Sequence, residues 1–128
     1  MSEKTQENLD NLIVEGLNAE KGELDLRERE LDDDDIKLIV NSDKIKGVTA
    51  LFLEYNEIGD EGLQAILGSE KFKHLTALNM FKNQVSDDGV KEMAKSKTLL
   101  NLSELVMSDN NIGVGGARAL SESKTLAN

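Results

Sequence analysis

The sequence contains no cysteine and no proline, and its single histidine is His74. Without cysteine there is neither a disulfide framework nor thiol chemistry. With one histidine, the common nucleophile and base arrangements have few available parts. No serine lies in a nucleophile-elbow motif, and no glycine-rich loop carries the Lys-Ser/Thr of a phosphate-binding loop. We therefore predict that the chain is not an enzyme, has no catalytic residue, and holds neither a cofactor nor a metal.

Basic residues and long apolar runs are also scarce. The 128 residues include 25 acidic and 15 basic ones, which gives a net charge of −10. This charge argues against nucleic acid or an anionic membrane as the main partner, because both require a basic patch. No apolar run approaches the ~18 residues of a membrane-spanning helix, and the N-terminus lacks the layout of a signal peptide. We expect a cytoplasmic protein; export without a cleaved signal is the alternative.

The sequence repeats itself every 27 residues. "VTALFLEYNEIGDEGLQAIL" begins at Val48, "LTALNMFKNQVSDDGVKEMA" at Leu75 and "LSELVMSDNNIGVGGARALS" at Leu102. A degenerate copy begins at Lys21, and half a copy with helical spacing precedes it. A period of this length predicts a solenoid of stacked units. We predict one domain with an N-terminal capping helix in residues 1–20 and four repeats in residues 21–47, 48–74, 75–101 and 102–128.

Each full repeat follows one pattern, which the second copy illustrates. Leu51 and Leu53 alternate as one face of a short strand, Asn56 follows, and Leu63 and Ile66 have helical spacing. A strand and helix of this size cannot bury an apolar face alone, so neighbouring units must stack. The asparagine amide both donates and accepts hydrogen bonds, which suits a ladder between adjacent turns. The equivalent asparagines are Asn83 and Asn110, and the glycines that follow, where a neighbouring helix approaches closely, are Gly62, Gly89 and Gly116.

This pattern, Leu-x-x-Leu-x-Leu-x-x-Asn-x-Ile followed by a glycine-containing turn and a helix, resembles the leucine-rich repeat. The repeat length and the helical second half are similar to the ribonuclease-inhibitor-like subclass. The resemblance covers residues 21–128. It implies an α/β fold, a right-handed β-α superhelix with a parallel sheet on the concave face and helices on the convex face. It also implies binding of other proteins, without chemistry.

The first copy departs from the pattern at two positions. Arg29 stands where the asparagine belongs, and Asp35 stands where the glycine belongs. Terminal repeats are expected to be atypical because they cap the stack. The acids in "LDDDD", "IGDEG" and "VSDDG" lie where each helix begins, and we interpret them as helix caps that complement the helix dipole. A cation site at this rim is the alternative, although the run at residues 32–35 lacks the spacing of a calcium loop.

Three of the four aromatic residues fall on strand positions that point away from the core. Phe52, Tyr55 and Phe81 lie on neighbouring strands, where lateral spacing is about 5 Å. Exposed aromatic residues are typical anchors of protein contacts, although neighbouring rings can also simply cover one another. The predicted protein-binding residues are Phe52, Tyr55, Phe81, Glu54, Asn79, Lys82, Val106 and Asp109.

These residues predict a ligand with an apolar centre and basic flanks, since acidic residues surround the aromatic ones. The face offers an estimated ~250–300 Å² from strand dimensions, against the ~800 Å² per partner of a standard interface. A protein–protein interaction module that binds a peptide-sized segment is therefore the first hypothesis. A regulator of a GTPase or nuclease follows from the family resemblance alone, since no residue pattern selects it.

The second hypothesis is a self-assembling structural unit. No degenerate copy follows the fourth repeat, which is as regular as the second. We expect its strand edge to face solvent, and an uncovered apolar edge favours pairing with another chain. Either a homo-oligomer through the C-terminal edge covers it, or further repeats have been lost or removed. The side chains expected to be exposed there are Leu105, Met107, Leu120 and Leu126.

Overall fold

A computed structural model of the chain describes residues 4–96 and 102–122. The elements alternate between helices and short strands along the chain. In chain order they are α1 (Gln6–Gly16), β1 (Leu17–Asn18), β2 (Glu23–Asp25), α2 (Asp33–Val40), β3 (Ala50–Phe52), α3 (Asp60–Leu67), a 3-10 helix (Glu70–Phe72), β4 (Ala77–Asn79), α4 (Asp87–Lys95), β5 (Glu104–Val106) and α5 (Val114–Glu122).

The strands form one five-stranded sheet in the order β1-β2-β3-β4-β5. β2 to β5 are parallel and pair in register, so Leu51 lies beside Leu24 on one side and Leu78 on the other. β1 is antiparallel to β2 and covers its outer edge, a feature that the sequence did not predict. Each helix from α2 onward begins 27 residues after the one before it, at positions 33, 60, 87 and 114.

The core lies between the sheet and the helices. In β2, β3 and β4 the central leucine is buried and its two neighbours are half-buried. Helix α3 buries Leu63, Ile66 and Leu67 against this layer, and Phe72 closes the repeat with no exposed surface. Leu99 and Leu126, which stand one and two periods after Phe72, lie outside the described part of the chain. His74 is exposed.

The asparagine ladder is confirmed, and Asn83 shows how it works. Its Oδ1 accepts a hydrogen bond from the Ile58 N–H at 3.0 Å, while its Nδ2 donates to the carbonyls of Leu53 at 2.9 Å and Met80 at 3.2 Å. The first two partners belong to the preceding repeat, so one side chain satisfies backbone groups of two turns. The equivalent bonds one repeat earlier and later are made by Asn56 and Asn110.

A second ladder, of aspartates, was not predicted in this form. Asp33 Oδ1 accepts hydrogen bonds from the N–H groups of Gly59 at 2.7 Å and Gly62 at 3.0 Å. Its carboxylate therefore satisfies free N–H groups at the start of the next helix, α3, as well as lying in the first turn of its own. Asp60 and Asp87 stand at the same place one and two repeats later, and their Oδ1 atoms accept bonds from the following repeat.

This aspartate ladder explains the recurrent glycine. A Cβ placed on Gly62 would lie 2.6 Å from Asp33 Oδ1, and one on Gly89 would lie 2.2 Å from Asp60 Oδ1. Such distances are too short for non-bonded atoms, so the position has room only for hydrogen. The close neighbour predicted from the sequence is thus a carboxylate of the preceding repeat.

The expectation that Tyr55 and Phe81 occupy strand positions needs correction. The strands are only three residues long, so residues such as Glu54 and Tyr55 follow the strand. Tyr55 and Lys82 instead have φ angles of 59° and 57°, in the left-handed region. Backbone pairing nevertheless continues past the strand, with the Tyr55 N–H donating to the Phe81 carbonyl at 3.0 Å. The side chains therefore keep the lateral spacing of neighbouring strands.

The apolar flank at β5 is smaller than predicted. Met107 was expected to face solvent but is only 8% exposed, and Leu105 is half-buried and packs against the core. Both contact the layer built by the preceding repeat, which is enough to cover most of their surface. Nothing is described for the side chain of Leu120. No helix in the described ranges is long and apolar enough to cross a membrane.

Candidate functional site

The outer sheet face, meaning the side of the sheet that faces away from the helices, carries the candidate site. Successive repeats place equivalent residues beside each other, as the register of Phe52 beside Asp25 and Asn79 shows. Asn79 in turn lies beside Val106 of β5. Each step between strands is about 4.8 Å. The predicted residues therefore share one surface.

The aromatic cluster, defined as Phe52, Tyr55 and Phe81, lies at the centre of this face. The rings of Tyr55 and Phe81 meet edge to face, with centroids 5.4 Å apart and planes 82° apart. Phe52 and Phe81 are half-buried and Tyr55 is 48% exposed, so none of the three belongs to the core. The aromatic surface is partly self-covered and partly open to a ligand.

The left-handed backbone at Tyr55 is unusual for an aromatic residue. The same conformation recurs at the equivalent positions of the other described repeats, which shows that it belongs to the repeat's turn. The equivalent residues are Glu28, Lys82 and Asp109. None of them is glycine, so the sequence carries no signal for this conformation. It turns the chain out of the strand where Tyr55 reaches the Phe81 ring.

Lys82 and Asn79 take part in the site in different ways. The Lys82 Nζ lies 6.0 Å from the centroid of the Tyr55 ring, within the range of a cation–π contact. Asn79 Oδ1 accepts a hydrogen bond from the Phe81 N–H at 3.0 Å. Asn79 therefore holds the backbone that presents Phe81, and Lys82 brings a positive charge to an otherwise acidic surface.

Glu54 directly precedes Tyr55 in the chain and is half-buried. Its Oε1 atom is shielded from solvent and accepts no hydrogen bond from the described part of the chain. Burying a polar atom without a partner is unfavourable, and folded proteins rarely do so. Glu54 therefore differs from the other carboxylates of this face.

A charged pair borders the aromatic cluster on the side of β2. Arg27 donates from Nε and from a terminal nitrogen to the two Asp25 oxygens, at 2.9 and 2.8 Å. This hydrogen bond with Arg27 lowers the pKa of Asp25 and raises that of the guanidinium. An open, polar cleft of about 530 Å³ lies beside the pair and is also lined by Glu15 and Arg29.

The remaining predicted residues, Val106 and Asp109, mark the far side of the face. Val106 is 38% exposed on β5, and Asp109 is exposed at the left-handed position that follows. Neither makes a ring contact with the aromatic cluster. They extend the face laterally beyond it.

No group of three or more histidine, aspartate or glutamate side chains within residues 4–96 and 102–122 is arranged to hold a metal ion. The acidic rim is instead occupied by backbone contacts. Asp33 and Asp87, for example, each accept hydrogen bonds from two N–H groups of the next repeat. Capping is therefore the observed role of these acids. Asp32 caps its own helix, α2, whereas Asp33 and Asp87 accept hydrogen bonds at the start of the next helix.

Comparison with known proteins agrees with this architecture. The profile of the family described as "Leucine Rich repeat" matches residues 48–67, 73–94 and 98–121, which is more than half of the chain. The chain therefore belongs to the leucine-rich repeat family. No curated protein is significantly similar to it in sequence.

Two solved structures share the fold. A chain in the structure of the Chaetomium Mex67:Mtr2 subunits superposes with a TM-score of 0.68 at 18% sequence identity, covering 91% of this chain and 83% of that one. The leiomodin-1 actin-binding site 2 superposes with a TM-score of 0.54 at 16% identity, covering 94% and 84%. At these identities the likeness concerns the fold alone.

Proposed function

We propose that the chain is a protein–protein interaction module that binds a protein or peptide on its outer sheet face. The observation that carries this proposal is the aromatic cluster on that face. Three of the four aromatic residues of the chain are gathered there, outside the core. Aromatic residues at the centre of a surface, surrounded by polar ones, are the usual anchors of protein contacts. The family, whose repeats generally mediate protein binding, supports the same function.

In this proposal the repeats form a right-handed solenoid of the ribonuclease-inhibitor-like type, and the outer sheet face is its concave side. Exact in-register pairing of parallel strands supports the stacking. The helices on the opposite side occupy more width than the strands, which favours curvature toward the sheet. A curved sheet would surround an extended segment on more than one side.

The ligand that fits this face has an apolar centre and basic flanks. The aromatic cluster supplies the apolar contact, and acidic residues outnumber basic ones around it. The acidic members of the face are Glu23, Asp25, Glu28, Glu54, Glu104 and Asp109, whereas Arg27 and Lys82 are basic. Complementary charge speeds association and excludes acidic competitors. Nucleic acid is therefore not the expected partner, and the proposal includes no catalysis.

The test uses a random peptide library displayed on phage, selected on the immobilised protein. We expect peptides to be enriched on the wild type, and we expect the Phe52→Ala, Phe81→Ala double variant to weaken their binding by about 30-fold or more, since two anchors are worth ~2 kcal/mol or more. Val14→Ala is the matched control, because Val14 is an apolar residue 60% exposed on α1, away from the sheet face. Equal binding by both variants would contradict the proposal.

A second variant tests the aromatic cluster in a protein that is expected to stay folded, in case the double variant misfolds. Tyr55→Gly removes a ring at a backbone position that favours glycine. The fold should therefore persist, as measured by circular dichroism and thermal unfolding, while the selected peptides bind more weakly. Unchanged peptide binding by folded Tyr55→Gly would count against the aromatic cluster as the binding surface.

Self-assembly through β5 is the second candidate. Val106 and Val114 are exposed at this end of the described structure, at 38% and 78%. The burial of Met107 and the partial burial of Leu105 reduce the apolar area available there, so this candidate has less support than peptide binding. Light scattering over a wide concentration range decides it, since a particle mass of one chain at every concentration rules out self-assembly.

The similar structures support protein recognition only in outline. One is described as an actin-binding site and the other as part of the Mex67:Mtr2 assembly. Both descriptions suit a fold that presents a surface to another protein. A cytoplasmic location remains a prediction from the sequence, as does the alternative of export.

A further inference from the structure

Glu54 presents an unmet hydrogen-bonding requirement at the proposed binding face. Its Oε1 is shielded from solvent and has no partner among the residues of the described structure. An unpaired buried acceptor costs on the order of 1–3 kcal/mol, and more when it is charged. The remainder of the Glu54 side chain is partly open, since the residue is half-buried. A ligand on the outer sheet face would meet this open part of the side chain, and rotation about the last side-chain torsion would turn the shielded oxygen toward it.

The cations nearest to Glu54 along the face are engaged elsewhere. Arg27 occupies the equivalent position on the preceding repeat, but its guanidinium forms two hydrogen bonds with Asp25. Its pKa is raised first by Asp25 and only to a smaller extent by the charge of Glu54. The Lys82 Nζ lies over the Tyr55 ring. Among the residues that the structure describes, no cation therefore hydrogen-bonds to the Glu54 Oε1.

We propose that Glu54 receives the charged end of a lysine or arginine side chain from the bound protein. This inference rests on the proposed function and specifies its ligand. The aliphatic stem of such a residue would lie against the rings of Tyr55 and Phe81, as long cationic side chains do on apolar surfaces. The head group would form a charge-assisted hydrogen bond, which is among the stronger polar contacts. The occupant is a segment of a partner protein with one basic residue between apolar ones.

The surroundings of Glu54 favour this occupant by charge and by shape. The equivalent residues on either side are Arg27, which is paired, and Phe81, which presents a ring. A cation at Glu54 therefore contacts an aromatic surface on one side. Glu28, Glu104 and Asp109 are exposed, so they attract a basic segment while it keeps its water. Glu54 is the carboxylate at which burial makes the contact specific.

The experiment uses the peptides selected by phage display in the preceding test. We expect them to share a lysine or arginine flanked by aliphatic residues. Replacing that residue by norleucine in a synthetic peptide should weaken binding to the wild type by about 10-fold or more, the range for a hydrogen bond to a charged group. Glu54→Gln, which preserves shape, should weaken the original peptide similarly and should bind the norleucine peptide as well as the wild type does.

Glu92→Gln is the matched control, because Glu92 is an exposed carboxylate on helix α4, away from the sheet face. It should change affinity by about 2-fold at most, as exposed charges do. If the selected peptides lack a basic residue, or if Glu54→Gln behaves like Glu92→Gln, this inference is wrong while the proposed function stands. If no peptide is enriched, or if the aromatic double variant binds as well as the wild type, the proposed function fails and this inference with it.

Discussion

The first repeat and the interior repeats share a backbone but differ at the residues that join one repeat to the next. The interior repeats carry an asparagine and a glycine at positions such as Asn83 and Gly89, and both contact the preceding repeat. The first repeat carries Arg29 and Asp35 at these positions. Arg29 donates its backbone N–H to Asn56 Oδ1, so its backbone takes part in the asparagine ladder. Within the described residues, its side chain does not continue the ladder to the element before it.

The element before the first repeat explains the difference at Asp35. The position equivalent to the ladder aspartates is Gln6, and its amide donates to Asp10 and to the Leu38 carbonyl. The ladder carboxylate is therefore missing at position 35, where a side chain is accommodated instead. Asp35 accepts a hydrogen bond from the Asp32 N–H at 2.9 Å, in a reciprocal capping box. The repeat signature thus belongs to the junctions between repeats.

The largest expected effect compares the two types of repeat at the asparagine position. Asn83→Ala should lower the free energy of unfolding by about 2–4 kcal/mol, because several buried backbone groups lose their partner at once. Arg29→Ala should lower it by less than ~0.5 kcal/mol, as is usual for an exposed side chain. Urea unfolding followed by circular dichroism measures both. If both variants lost a similar free energy of unfolding, the asparagine would not stabilise the protein by joining neighbouring repeats.

The next effect concerns the glycine position. Gly89→Ala should destabilise the protein by about 1–3 kcal/mol, because the new Cβ meets the Asp60 carboxylate. Removing the obstacle with Asp60→Ala should make the double variant more stable than the sum of the two single losses, by ~1 kcal/mol. Urea unfolding of the three variants gives this coupling, and strict additivity would contradict the steric explanation.

The smallest effect is a pH dependence that arises at the start of the first repeat's helix. The hydrogen bond from the Asp35 N–H lowers the pKa of Asp32 in the folded protein below its ordinary value of 3.8. A lowered pKa contributes stability above that ordinary value, and this contribution is lost as the pH falls through the folded value. Asp32→Asn should therefore unfold with a flatter dependence on pH below about 4 than the wild type. Thermal unfolding at several acidic pH values measures the slope, and parallel curves would contradict the prediction.

Much of the fold could be predicted because its period is visible in the residues. Leu51 and Leu53 alternate along one side of the strand, and an asparagine recurs at a fixed distance, as at Asn56, so the strand, the turn and the ladder follow from side-chain chemistry. The membership of the family is confirmed by three matched repeats. The approach of Tyr55 to Phe81 also follows, since parallel pairing in register sets Tyr55 beside its equivalent, Lys82, which directly follows Phe81.

The parts that could not be predicted depend on backbone direction and on distance in space. The left-handed turn at Tyr55 carries no glycine to indicate it. The hydrogen bonds between Asp33 and the next repeat could not be predicted from this residue alone, because an aspartate also suits the start of its own helix. Its recurrence at positions 60 and 87 was the available signal. The unpaired oxygen of Glu54 depends on the burial of a single atom, which no sequence pattern records.

The local range of the junction contacts has a consequence for how the molecule comes apart. Backbone hydrogen bonds such as those from Leu53 to Asn79 and from Met80 to Val106 join residues about one repeat apart. Cohesion is then a sum of nearest-neighbour terms along one axis, as in a one-dimensional chain of coupled units. Folding can start at any interior pair of units and spread in both directions.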